Sequence, residues 1–127
     1  MALWHVYCDE SCKSRPNKRL TVGATFAKAN DAKMVAERVS TWRQLHGLNA
    51  ELKWSRVSNS YYGRYCEFAR DAIRDINDGK MAFASLHVAL NTIDHAAFSD
   101  GSEERSIRKL YYQLILHRCL PYVGAGD

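Results

Sequence analysis

The sequence has only two prolines and seven glycines in 127 residues. That scarcity excludes fibrous, collagen-like and low-complexity chains. No apolar run approaches the roughly 18 residues that a membrane-spanning helix needs. The first residues, MALWHVYCDE, lack the basic start and long apolar stretch of a secretory leader. Cysteine is sparse, with Cys8, Cys12, Cys66 and Cys119. Four thiols without an export signal are expected reduced, in a cytoplasmic protein. Cys8-x-x-x-Cys12 and His117-x-Cys119 together fit no common zinc module. Strong charge of one sign is missing as well. Eighteen Lys and Arg against fourteen Asp and Glu leave +4, which permits a polyanionic partner without demanding one. No serine-hydrolase elbow, phosphate-binding glycine loop, dinucleotide fingerprint or internal repeat is present.

What remains is an ordinary globular composition, 46% hydrophobic and 25% charged. The length suits one domain, 1–127, with a core of its own. Leu3–Cys8 is aromatic and β-branched and predicts a strand. Its alternation sets Leu3, His5, Tyr7 and Asp9 on one face, Trp4, Val6 and Cys8 on the other. Leu20–Ala27 predicts a second strand, with Gly23 marking a bulge or a close backbone approach. Ala29-Asn30-Asp31 reads as a turn that caps a helix. Met34, Val35, Arg38, Val39, Trp42 and Leu45 then recur at helical spacing up to Gly47. Ser58-Asn59-Ser60 opens a second helix, whose stripe is Tyr62, Tyr65, Cys66, Ala69, Ile73 and Ile76, and Gly79 closes it. Lys80–Leu90 predicts a central strand. Asp100-Gly-Ser-Glu103 resembles a capping box for a third helix, whose face is Ile107, Leu110, Tyr111, Leu114 and Ile115. Pro121 is expected to stop it, leaving a turn-like tail. The order β-β-α-α-β-α is an α/β plan, with helices covering a sheet.

Polar residues suited to chemistry cluster in Asp9-Glu10-Ser11, where the first strand is expected to end. Rigid strand-end carboxylates hold divalent cations well, and the same residues are also ordinary turn formers. Glu51 stands alone between apolar neighbours, and a carboxylate shielded from water needs a partner or a metal. Asp94 lies just past the central strand, beside His95. Three converging carboxylates would suit two-metal phosphoryl chemistry, one ion activating water and the other stabilising the leaving oxygen. His5 and His87 read as packed strand residues. Lys13, Arg15, Lys18 and Arg19 crowd one acid-free stretch, either a solvated loop or a phosphate contact.

VYCDES (Val6–Ser11), LTVGATFA (Leu20–Ala27) and ELKW (Glu51–Trp54) resemble the domain-of-unknown-function 3800 family. That family carries an Asp-Glu-Ser-Gly motif on its first strand and a Glu-Ile/Leu-Lys motif after its first helix. The resemblance implies a ribonuclease-H-like mixed sheet flanked by helices, in a phage, mobile-element or defence setting. It implies a metal-dependent nuclease in which Asp9 and Glu51 hold Mg²⁺ or Mn²⁺, with Asp94 as a weaker third acid. Lys53 matches the motif lysine. With the basic loop it would face nucleic acid. Cys12 replaces the motif glycine. The family continues into a further acid-bearing strand, so the expected domain lacks its C-terminal part and leaves a sheet edge open. A non-catalytic nucleic-acid- or protein-binding module is the alternative. A homodimer, or a partner strand completing the edge, is a third expectation. No membrane association is expected.

Overall fold

The computed structural model describes residues 2–11, 19–94, 96–97 and 100–125. Its main elements are β1 (Trp4–Ser11), β2 (Arg19–Lys28), α1 (Ala29–Leu45), α2 (Tyr62–Asn77), β3 (Ala82–Ala89) and α3 (Glu103–Leu114). A 3-10 turn, Trp54–Arg56, lies between α1 and α2, and π-helical residues Ile115–Cys119 join α3 to a short α4, Leu120–Ala125. The order β-β-α-α-β-α is therefore present. The sheet is not mixed as expected: the described strands are antiparallel throughout, in the order β1-β2-β3. The helical pair α1–α2 returns the chain to the end where β2 stops, so β3 must run back beside it. β1 is an edge strand with no second strand partner among the described residues.

Direct partners in an antiparallel ladder share a face. The rows Val6–Phe26–Ala82, Cys8–Ala24–Ala84 and Glu10–Val22–Leu86 face α3. There Leu20, Val22, Ala24 and Phe26 meet Ile107, Leu110, Leu114 and Cys119 in the buried core. The α3 stripe recurs every three or four residues, as one buried helix face requires. Ser102 caps α3 by accepting the Arg105 N–H at 3.2 Å, with Glu103 and Glu104 in the first turn. The opposite rows, Tyr7–Thr25–Phe83, Asp9–Gly23–Ser85 and Ser11–Thr21–His87, face away from α3.

Several boundaries differ from expectation. β1 runs on through Ser11, because Asp9, Glu10 and Ser11 pair with Gly23, Val22 and Thr21. No turn separates β2 from α1; Lys28 is the cap and Asp31 sits in the first helical turn. Gly47 and Gly79 end α1 and α2 at φ values of 63° and 72°, as left-handed glycines do. Pro121 does not stop the helical run. The π-helical residues reset it, and Pro121 falls in the first turn of α4, where a missing N–H costs nothing. The tail through residue 125 is thus helical. Tyr122 stands edge-on to Phe26 at 5.2 Å and to Trp4 at 6.1 Å.

α2 docks on α1, not on the sheet core. Arg38 of α1 forks onto Asp75 of α2, one bond measuring 2.8 Å. Asp75 is only 2% exposed and its carbonyl accepts the Lys80 N–H at 2.9 Å. The Arg38 hydrogen bond holds the Asp75 carboxyl below its ordinary range, outweighing burial. Trp42 stacks obliquely on Phe68 at 5.3 Å. The predicted α2 stripe faces outward, with Tyr62, Ile73 and Ile76 exposed. No described helix is long and apolar enough to cross a membrane.

Candidate functional site

Alternation along β1 sends consecutive acids to opposite faces. Glu10 points toward α3, where its carboxylate accepts the Tyr111 hydroxyl. Burial, and then Glu10, push the Tyr111 hydroxyl well above its ordinary pKa. Asp9 points to the other face, is exposed, and accepts the Glu10 N–H at 2.9 Å. Its direct partner across the ladder is Gly23. A Cβ at Gly23 would sit 3.4 Å from the Phe83 ring. That is ordinary contact with a side chain, so the expected bulge or close backbone approach at Gly23 is absent, and the ladder runs through it unbroken.

The segment after α1 is fixed by one side chain. Arg43 donates through Nε to the Leu48 carbonyl at 3.0 Å. Through Nη2 it reaches the Asn49 carbonyl at 3.1 Å and the Ala50 carbonyl at 2.9 Å. Glu51 follows immediately. It is exposed and pairs with Lys53 at 3.0 Å, the acid and lysine of one motif neutralising each other.

A cavity of about 550 Å³ separates α1 from the sheet. Tyr7 and Thr25 form its sheet wall, Val35, Val39 and Arg43 its helix wall, and Leu48 and Asn49 its rim. Tyr7 precedes Asp9 by two residues on the same face. Asn49 precedes Glu51 by two. Tyr7, Leu48 and Asn49 thus border one cavity, whose size suits a small ligand or one unit of a polymer, and neither Asp9 nor Glu51 lines it.

Asp94 belongs elsewhere. It caps residues after β3, accepting the Ala96 N–H at 3.0 Å and the Ala97 N–H at 3.2 Å. With Val88, Ile93 and Leu110 it lines a hollow on the α3 side of the sheet. The structure does not bring Asp94 to the Asp9 face. Among the described residues, no group of three or more His, Cys, Asp or Glu is placed to hold a metal ion. Arg19 is exposed at the start of β2 and pairs with Ala89. Lys13, Arg15, Lys18, Cys12 and His95 lie outside the described residues.

Sequence reasoning passed over a second feature of the Asp9 face. His87 is exposed, not packed. Its Nδ1 lies 2.9 Å from Thr21 Oγ1 and its Nε2 3.2 Å from Ser85 Oγ. Thr21 and Ser85 stand one row apart on β2 and β3, and Ser85 shares the Gly23 row with Asp9. Gly23 is thus the floor of a polar surface of Asp9, Ser85, His87, Thr21 and Ser11. The period-2 alternation of β3 carried that signal, because Ser85 and His87 share a face. No family model matches the chain, and neither a curated protein nor a solved structure does.

Proposed function

We propose that the chain is a ribonuclease-H-like domain that hydrolyses phosphodiester bonds with Mg²⁺ or Mn²⁺, Asp9 and Glu51 being its metal-holding acids. One observation carries the reading: Tyr7, two residues before Asp9 on the same face of β1, and Leu48 and Asn49, in the Arg43-clamped link before Glu51, border the same cavity, which neither acid itself lines. The order of parts supports it, with an acid on the first strand, a glycine directly opposite on the second and Glu51-Leu52-Lys53 after the first helix. Exposed carboxylate oxygens fit a hard cation that keeps several waters. When bound, such a cation would polarise the phosphodiester and lower the pKa of water. The chain's own contribution is positional. β1 fixes Asp9 in a ladder, and Arg43 fixes the approach to Glu51. Arg19, with Lys13, Arg15 and Lys18 before it in the sequence, supplies positive charge for a nucleic-acid backbone, and Lys53 joins them only where Glu51 turns from it to a cation. Asp94 has no part in this reading.

The test is nuclease activity of the full chain on single- and double-stranded DNA and RNA, with Mg²⁺ or Mn²⁺ and with EDTA. Asp9→Ala is expected to lower cleavage on the order of 100-fold or more. Equal cleavage by wild type and Asp9→Ala sinks the proposal. The Glu51–Lys53 ion pair favours a second reading, a non-catalytic nucleic-acid- or protein-binding module on the same fold. It calls for nucleic-acid binding that weakens with salt and survives Asp9→Ala, with no cleavage in any metal.

A further inference from the structure

We infer that the cavity between α1 and the sheet binds a small aliphatic monocarboxylate, apart from the proposed cleavage chemistry. Neither Asp9 nor Glu51 lines it. Its volume of about 550 Å³ falls in the roughly 300–1,000 Å³ range of small-molecule pockets.

The chemistry of the occupant follows from one face of α1. Ala32, Val35, Ala36 and Val39 line the cavity, at the spacing of neighbours on one helix face. Ser40, Arg43 and Gln44 continue that face toward the end of the helix. The lining therefore changes along the axis, from hydrocarbon in the first half of α1 to polar and cationic in the second. The hydrocarbon part extends over roughly 10 Å of helix, the reach of an octanoate chain. Met81 and Leu48 add apolar surface to it. The two alanines leave room that larger apolar residues would fill.

One cation stands at the polar end. Arg43 is half-buried and is held in place by the Leu48, Asn49 and Ala50 carbonyls, through Nε and Nη2. A guanidinium carries five N–H groups, and the two on Nη1 have no partner among the described residues. The carbonyls orient the charge without cancelling it. No described lining residue is acidic. The cavity thus offers one fixed positive charge to one negative group, and hydrogen bonds between ionised groups are the strong ones. A single charge also limits the ligand. A phosphate monoester, close to two negative charges at neutral pH, would bring charge that no described lining residue balances, and burying it is costly. A carboxylate brings one. Gln44 and Asn49, beside Arg43 in the lining, carry amide N–H groups for its second oxygen.

Isothermal titration calorimetry of the full chain with octanoate tests the site, with octanol, octylammonium and octyl phosphate as probes of charge. Octanoate is expected to bind about 10-fold or more tightly than octanol, the worth of one hydrogen bond to a charged group. Octylammonium, repelled by Arg43, should bind weakest. Methyl resonances of Val35, Val39 and Leu48 should shift on titration, and those of Leu110 and Leu114 should stay in place. Arg43→Ala should bring octanoate down to the affinity of octanol and leave octanol itself unchanged. Equal losses for both probes would mean that Arg43 only holds the link, and overturn the recognition of charge. Ala36→Phe, at an exposed position of the lining, should weaken octanoate and octanol alike with circular dichroism unchanged. Asp9→Ala should bind octanoate as wild type does, so failure of the nuclease reading and failure of this site are separate results. No saturable octanoate binding below about 1 mM overturns the inference. So does octanol or octyl phosphate binding as tightly as octanoate, or resonance shifts centred outside the cavity.

Discussion

Within β2, neighbouring residues live in different surroundings. Val22, Ala24 and Phe26 are shut from water against α3, while Thr21, Gly23 and Thr25 look out on the other face. The α3 side is dry, apolar and continuous through Leu110, Leu114 and Cys119. The α1 side holds a cavity, a polar surface and an ion-pair clamp in place of packed hydrocarbon. The contrast separates the side that carries the packed core from the side left open. In the proposed reading the open face admits a ligand, and such a face cannot also be close-packed. One strand serves both because its side chains alternate.

The largest effects should therefore come from the α3 face. Phe26→Ala removes a ring that is 2% exposed and should cost about 3–5 kcal/mol of unfolding free energy. Thr25→Ala, one residue away, should cost under about 1 kcal/mol. Urea unfolding of both variants measures the ratio. Equal losses would show that the two faces are packed alike.

The Arg38–Asp75 clamp comes next. Arg38→Ala would strand a carboxylate that is 2% exposed. Loss of a buried partner typically costs about 3–5 kcal/mol, but Arg38 is itself 41% exposed, so about 2–3 kcal/mol is expected. The clamp also sets an acid limit. The carboxyl of Asp75 is held below its ordinary 3.8. Its stabilisation is present above that value and lost as pH falls through the depressed one. Wild type should lose stability steeply below roughly pH 4. Asp75→Asn, weaker at neutral pH, should show a shallower slope there. Parallel acid profiles would mean that other carboxylates carry the transition.

Tyr111→Phe should cost about 1–2 kcal/mol, because Glu10 loses its donor on the half-buried α3 side. Here the linkage has the opposite sign. The Tyr111 hydroxyl is raised from an ordinary 10.0. Its contribution is full below that value and is lost as pH climbs through the raised one. Alkaline unfolding should therefore be blunted in Tyr111→Phe. Superimposable alkaline limbs would remove Tyr111 from the account.

The strands, the three long helices and the α3 core were readable from short-range periodicity. The face of Asp9 was readable too, since alternation from Leu3 already opposed it to Trp4, Val6 and Cys8. Contacts between distant segments were not. Nothing local to Asp75 announces Arg38, and nothing near Glu10 announces Tyr111, because those pairs are separated by 37 and 101 residues. The α2 stripe misled in a specific way. Its period correctly predicted a helix, but a period says only that one face is apolar. Which surface covers that face is decided by the fold, and α2 meets α1 through Phe68 and Asp75 instead. Pro121 misled for a similar reason, since its effect depends on whether the preceding turn is α or π.

The smallest effect on stability tests how far the two sides of the sheet are coupled. Arg43 makes three hydrogen bonds to the carbonyls of Leu48, Asn49 and Ala50. Leu48 and Asn49 lie at the cavity rim, and none of the three belongs to the α3 core. Arg43→Ala should cost only about 1 kcal/mol globally, since these carbonyls regain water once the guanidinium is gone. The local effect should be larger. Amide exchange across residues 48–53 should speed up by more than about 10-fold, as a link with few other fixed groups opens. Amides of α3 should exchange as in wild type. In the proposed nuclease reading, cleavage should fall with Arg43→Ala while unfolding free energy barely moves, because Glu51 loses its fixed approach and not its charge. Arg43→Lys would sharpen the point. A lysine keeps the positive charge but cannot fork onto successive carbonyls. It should resemble alanine in exchange if geometry matters, and wild type if charge alone does. Acceleration spreading into α3 would mean that the open face and the packed face unfold as one unit.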